Sequence, residues 1–240
     1  MSSTVYVSLS AQMAADKRLA TIANNIANLG TPGFRAEAVR FESVMSEAGG
    51  DSVAYVSKGE TFTSLKAGSV TPTGNPLDMA VEGDGWFAVR TAQGTGYTRD
   101  GRLKMSPEGE LRTMGGAPIL DAGGAPVMID PTGGEVRIGA DGAVFQGRKA
   151  VARVGLFLLP PGATLTRHDG ATVIADQPGT LVQDFTRNMV RQGYVEGANV
   201  DPVQEMTRLI TLQRAFEEAA SAVSQSEDAT SSVIRQLGPS

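Results

Sequence analysis

The chain contains no cysteine and only one histidine, His168, in 240 residues. The first absence removes disulfides, thiolate nucleophiles and cysteine metal sites, and the second removes any two-histidine zinc motif. It also leaves nothing to crosslink if the chain passes unfolded into an oxidising compartment. No run approaches the roughly 20 consecutive apolar residues that span a bilayer. The first basic residue is Lys17, so neither a membrane insertion nor a Sec-type signal is expected. Positive charge is short as well: 21 Lys and Arg stand against 26 Asp and Glu, giving a net charge of −5, which sets nucleic acid aside as a partner. Neither a GxSxG elbow nor a GxxxxGK phosphate loop occurs. Gly83-Asp84-Gly85-Trp86-Phe87-Ala88 matches GxGxxA, but it leads into a strand-like run where a dinucleotide site needs a helix N-terminus, and it reads as a hairpin turn. His168, beside Asp169-Gly170, reads as a solvated turn residue. No catalytic, cofactor-binding or metal-ligating residue is assigned.

What is present falls into three zones. From Val5 to about Leu29 there is no Pro or Gly, and Leu9, Met13, Leu19, Ile22 and Ile26 share one broad face at helical spacing. Gly30, Pro32 and Gly33 stop this helix. From about residue 35 to 195, glycine, proline and short Val-, Ile-, Phe- and Trp-rich runs mark a mostly antiparallel β region. Asp84-Gly85, Asp100-Gly101, Asp141-Gly142 and Asp169-Gly170 are read as its hairpin turns. Trp86–Val89 and Val154–Leu159 are continuously apolar, as in strands covered on both faces, the second central. Residues 42–60 read as a mobile connection whose path is not predictable. Asp201 is a helix cap, with Pro202 in the first turn and Gln204 completing a capping-box pattern.

No Gly or Pro follows until after Leu237. Met206, Leu209, Gln213, Phe216, Ala220, Val223, Glu227, Thr230, Ile234 and Leu237 recur at alternating spacings of three and four, a heptad seam that Ile210 and Leu212 widen. At about 1.5–3 kcal/mol per buried apolar side chain, leaving that seam in water forfeits about 10–20 kcal/mol. The helices are therefore expected to order fully only against neighbours. The alternative, in which the two helices satisfy each other and cap the β domain of a monomer, stays open on pattern alone. The expected fold class is α+β, with long N- and C-terminal helices pairing as a coiled coil around a central β domain. The segments are 1–34 (helix and turn), 35–60 (linker), 61–198 (β domain) and 199–240 (helix).

Four blocks carry a resemblance. Ala23-Asn24-Asn25-Ile26-Ala27-Asn28, followed by Thr31-Pro32-Gly33-Phe34-Arg35, resembles the N-terminal signature of flagellar axial proteins, with Ile26 in place of leucine. Residues 73–87, TGNPLDMAVEGDGWF, resemble the signature that opens their β domain, here through Gly74, Asn75, Leu77, Asp78, Gly83 and Gly85. Tyr97-Thr98-Arg99-Asp100-Gly101 resembles the motif that follows, though Leu103 stands where an aromatic is commoner. Glu196-Gly197-Ala198-Asn199-Val200-Asp201, Glu205-Met206 and Gln213-Arg214-Ala215-Phe216-Glu217 resemble the C-terminal signature. The chain is thereby identified as similar to the flagellar basal-body rod family, most like its proximal members, with distal-rod and hook-type subunits as alternatives.

The resemblance implies a cofactor-free structural subunit of the periplasmic rod. It would be exported unfolded by the flagellar type III apparatus and stacked with its own copies and other rod subunits. Residues assigned to assembly are Leu9, Leu19, Ile22, Asn24, Asn25, Ile26, Asn28, Thr31, Gly33 and Phe34 at one end. At the other they are Met206, Leu209, Ile210, Gln213, Phe216, Ala220, Val223, Ile234 and Leu237. Phe34 fits core packing within the subunit as well as a contact between subunits. Two readings from other classes remain: a periplasmic enzyme on a β scaffold, and a monomeric binding module with protease-resistant ends.

Overall fold

The computed structural model describes residues 3–46, 53–57 and 59–237, without the side chains of residues 3–9, 43–46, 53–56, 219–220 and 222–237. Of the assembly residues, Leu9, Ala220, Val223, Ile234 and Leu237 thus have side chains outside the described set. Two α-helices occur among the described residues, α1 (Ser3–Ala27) and α2 (Pro202–Leu237). Between them run β1 (Glu37–Arg40), β2 (Ser43–Ser46), β3 (Val53–Val56), β4 (Glu60–Thr63), β5 (Val70–Pro72), β6 (Met79–Glu82), β7 (Trp86–Thr91), β8 (Gly94–Thr98), β9 (Leu103–Met105) and β10 (Leu111–Thr113). They continue as β11 (Val136–Ile138), β12 (Ala143–Gln146), β13 (Lys149–Arg153), β14 (Leu156–Leu158), β15 (Leu165–Arg167), β16 (Thr172–Ala175), β17 (Thr180–Leu181), β18 (Met189–Gln192) and β19 (Tyr194–Glu196). The chain divides into two compact units, one of residues 1–26, 38–61 and 201–240, the other of residues 27–37 and 62–200.

In the first unit, α1 ends five residues before Pro32, which excludes helical geometry from the residue ahead of it. The Thr31 amide closes the turn onto the Asn28 carbonyl at 3.0 Å. α2 begins where Asp201 Oδ1 accepts from the Val203 and Gln204 amides at 2.9 and 3.1 Å, satisfying two of the donors that a helix start leaves unpaired. The supposed connection 42–60 contains an antiparallel ladder, β2 on β3, with Ser43 opposite Val56. Val53, Tyr55 and Val56 are residue types that favour strands.

The coiled coil is a correction. Pairing of the two helices along a seam is not shown: Met206, Ile210 and Phe216 are 52%, 51% and 43% exposed, and Leu19 is 39% exposed, where a seam would bury them. α1 instead spends side chains on the intervening segment. Lys17 Nζ donates to the Gly59 carbonyl at 2.5 Å, and the Arg18 guanidinium lies 4.7 Å from the Phe41 ring centre.

The second unit is built on a six-stranded sheet in the order β15-β16-β8-β7-β14-β17, its ladders antiparallel. Both faces are covered. Phe87 and Val89 of β7 join one apolar cluster with Met79, Leu111, Ile119 and Leu156, while Trp86 and Ala88 join another with Tyr97, Leu120 and Val173. That is why the Trp86–Val89 run has no polar alternation. The second apolar run supplies β14, held between β7 and β17.

Two of the four Asp-Gly pairs turn hairpins: Asp141-Gly142 joins β11 to β12, and Asp169-Gly170 joins β15 to β16. The other two do not, since β6 pairs with β18 and β9 with β10. Their glycines are there for space. A Cβ on Gly101 would lie 1.8 Å from the Met79 carbonyl oxygen, and one on Gly85 2.6 Å from Leu156.

Candidate functional site

Parts of the four signature blocks, far apart in sequence, meet inside the second unit: residues 31–35, 73–87, 97–101 and 196–199. Gly33 has φ +70° and its amide donates to the Glu196 carbonyl at 2.8 Å, which turns the next two side chains inward. Phe34 is fully buried, with the Arg167 guanidinium 4.3 Å from its ring centre. Arg167 also holds the backbone, donating to the Arg35 carbonyl and the Glu37 carboxylate, each at 2.6 Å.

Arg35 and Arg99 both reach Glu196. Arg35 Nη2 lies 2.7 Å from Glu196 Oε1 and Arg99 Nη1 3.3 Å from Oε2, with all three side chains no more than 2% exposed. Glu196 Oε1 accepts in addition from the Gly68 amide at 2.9 Å. Each guanidinium carbon sits 5.5 Å from the centre of the Trp86 ring, within range of a cation–π attraction. Arg99 further donates to the carbonyls of Val81 and Gly83. Burial pushes the Arg99 guanidinium down to about 10, against the pull of Glu196, and lowers Arg35 for the same reason. Both remain cations at neutral pH, so two buried positive charges share one carboxylate.

Asn199 completes the junction. Its Oδ1 accepts from the Ala36 amide at 2.6 Å, and its Nδ2 donates to the Lys66 carbonyl at 2.7 Å and the Ser64 hydroxyl at 3.2 Å. The second block forms its own closed turn. Asp78 accepts from the Thr73 hydroxyl at 2.7 Å and from Asn75 Nδ2 at 2.9 Å, while Asn75 Oδ1 accepts from the Leu77 amide at 3.2 Å. The Thr98 hydroxyl donates to the Ala171 carbonyl at 3.1 Å, and the Tyr97 hydroxyl oxygen accepts from the Gly179 amide at 2.7 Å.

The residues assigned to assembly therefore separate. Gly33, Phe34, Asn25 and Ile22 are buried; Asn24, Ile26, Asn28, Thr31 and Leu209 are half-buried. Thr31 donates to Asn28 Oδ1 at 3.1 Å. Leu19, Met206, Ile210, Gln213 and Phe216 face water. Within the first unit, Ala15, Asp16 and Leu19 of α1 and Leu212, Gln213, Phe216 and Glu217 of α2 line a cleft of about 380 Å³. Among the described residues, no group of three or more His, Asp or Glu side chains is placed to hold a metal ion.

Arg35, Trp86, Glu196 and Asn199 stand inside the sequence motifs with no role legible from the motif alone, and Arg167 lies outside every motif. The available signal was that motif positions 35, 99 and 196 are charged in segments that otherwise read as turns and strand ends. Charge at such places is as common on a wet surface, and only the fold shows it to be buried.

Three family descriptions match successive parts of the chain. These are the flagella basal body rod protein over residues 5–35, the flagellar hook protein FlgE/F/G D1 domain over 80–146, and the flagellar basal body rod FlgEFG protein C-terminal region over 191–236. Three relatives carry the name flagellar basal-body rod protein FlgF. That of Mesorhizobium japonicum is 45% identical and covers 99% of both chains; that of Rhizobium meliloti is 43% identical and covers 100% of both. The Caulobacter vibrioides protein is 37% identical over 99% of each.

Proposed function

We propose, for a chain that belongs to the flagellar basal-body rod protein family, that the apolar stripes of α1 and α2 are the surfaces through which it enters the rod. The protein is a structural subunit of the flagellar basal-body rod, most like the members named FlgF, and it assembles with other rod and hook components. The observation that carries the proposal is the row of large apolar side chains left in water: Met13 and Leu19 on α1, and Val203, Met206, Ile210 and Phe216 on α2. Each half-exposed side chain gains on the order of 1 kcal/mol when fully covered, and neighbours repeated along a polymer sum these gains. α2 spans 36 residues, about 54 Å at 1.5 Å per residue, which is longer than a small domain can bury.

In this reading the rod's stiffness comes from long helices packed across subunit boundaries, so torque passes without cofactor or turnover. In a helical array such contacts are heterologous and do not close on themselves. The immediate neighbours are further copies of this chain and other rod subunits in the periplasm, reached through the type III apparatus. The buried junction around Glu196 belongs to the subunit's interior and positions the segments that lead to the helices. Replacing Ile210 and Phe216 together by Asp tests the proposal. Exported chains with an unchanged Trp86 environment should fail to join basal bodies, and cells should lose motility. Normal rods and swimming would overturn it.

A further inference from the structure

The Glu196 junction holds three stretches that depend on one another. Residues 33–36 are held by Glu196 and Asn199, through the bonds to Gly33, Arg35 and Ala36. Residues 64–72 are held by the same late segment. The Gly68 amide donates to Glu196 and the Gly197 amide to the Ser69 carbonyl, Asn199 reaches Ser64 and Lys66, and β5 pairs with β19. Residues 33–36 and 64–65 also meet directly, Ser64 N–H on the Ala36 carbonyl and Arg35 on the Leu65 carbonyl. The six-stranded sheet needs no residue beyond Leu181, whereas this junction needs the chain out to Asn199.

Charge makes the dependence sharp. Arg99 precedes Glu196 by 97 residues, and Arg35 lies earlier still. Packing Arg35 and Arg99 onto Trp86 without that carboxylate would set two like charges together in a site closed to water, an uncompensated burial that opposes closure. The carbonyls of Leu65, Val81 and Gly83, the Trp86 ring and the Asp84 charge offset part of that cost. Among the described residues, however, neither Arg35 Nε nor Arg99 Nε has a hydrogen-bond partner, and Glu196 is the carboxylate that both guanidinia reach.

We propose that Arg35, Arg99 and Glu196 form a closing latch: the Trp86 face of the β unit seals only when the segment around Glu196 arrives, after the six-stranded sheet has formed. A chain delivered N-terminus first therefore stays unsealed until its last strand is present. The latch joins the segment that follows α1 to the segment that precedes α2, so only a complete chain has both fixed.

Trp86 is the chain's one tryptophan, which makes its fluorescence a direct reporter. The test compares refolding of three full-length chains, with sheet formation read by far-ultraviolet circular dichroism and sealing by Trp86 emission. In the wild type the emission change should follow the dichroism change. In Glu196→Gln the dichroism phase should keep its rate while the emission phase slows at least tenfold or vanishes. In the charge-free variant Arg35→Met, Arg99→Met, Glu196→Met the two phases should merge. Wild-type emission kinetics in Glu196→Gln would overturn the latch. So would a charge-free variant that is no faster than Glu196→Gln or that fails to fold, because packing rather than charge would then govern closure.

Discussion

At the scale of single residues, the tightest constraints are glycines whose missing side chain is occupied by backbone. Gly101→Ala places a methyl against the Met79 carbonyl, and Gly33→Ala places one 2.1 Å from the Asp100 amide nitrogen at φ +70°. Both should lose more than about 3 kcal/mol, read as a shift of the Trp86 unfolding midpoint in denaturant. Gly74 has a similar φ, +73°, but nothing within 4 Å, so Gly74→Ala should cost only about 1–2 kcal/mol. Equal losses at all three positions would refute the steric argument. The sequence marks these glycines as parts of motifs, yet their reasons differ. Gly101 looked like a hairpin glycine, because Asp-Gly has the same letters whether the turn needs positive φ or the backbone needs a neighbour's space. Glu196 is hidden in the sequence for a similar reason: a lone acid before a helix cap is ordinary until two arginines are seen to reach it.

At the scale of elements, legibility followed the locality of the signal. α2 could be bounded from Asp201-Pro202, since a cap is made by residues adjacent in sequence. Asp201→Ala should cost about 1 kcal/mol of helix stability, seen as faster amide exchange in the first turn of α2 with the β unit unchanged. Unaltered exchange there would show that the carboxylate hydrogen bonds at 2.9 and 3.1 Å contribute nothing. The two apolar runs gave β7 and β14 because strands buried on both faces cannot alternate. Strand pairing was not legible. β6 passes over its neighbour β7 to pair with β18, a partnership set by the return of the chain more than 100 residues later. The β2–β3 ladder was hidden by the glycine and acidic residues at 47–51, which signal a loop but say nothing about the residues on either side.

At the scale of the whole molecule, the heptad spacing on α2 is real, but its partner is not α1 in a seam. A pattern of apolar residues states that a stripe needs covering without stating by what; Lys17 and Arg18 show α1 engaged with Gly59 and Phe41 instead. Limited proteolysis of the free chain should remove much of α1 and α2 and leave a core near residues 60–200. Residues 27–37 should copurify with that core as long as the clip leaves Glu196 and Asn199 in place. Their loss in the presence of both would show that the junction does not hold. The central claim is that the helical stripes find their cover only in the rod. Hydrogen–deuterium exchange over residues 203–217, measured on the purified full chain and on isolated basal bodies, tests it most directly. The account predicts exchange at least a hundredfold faster in the free chain than in the rod, with Phe87–Val89 slow in both; equal protection of 203–217 in the two states would contradict it.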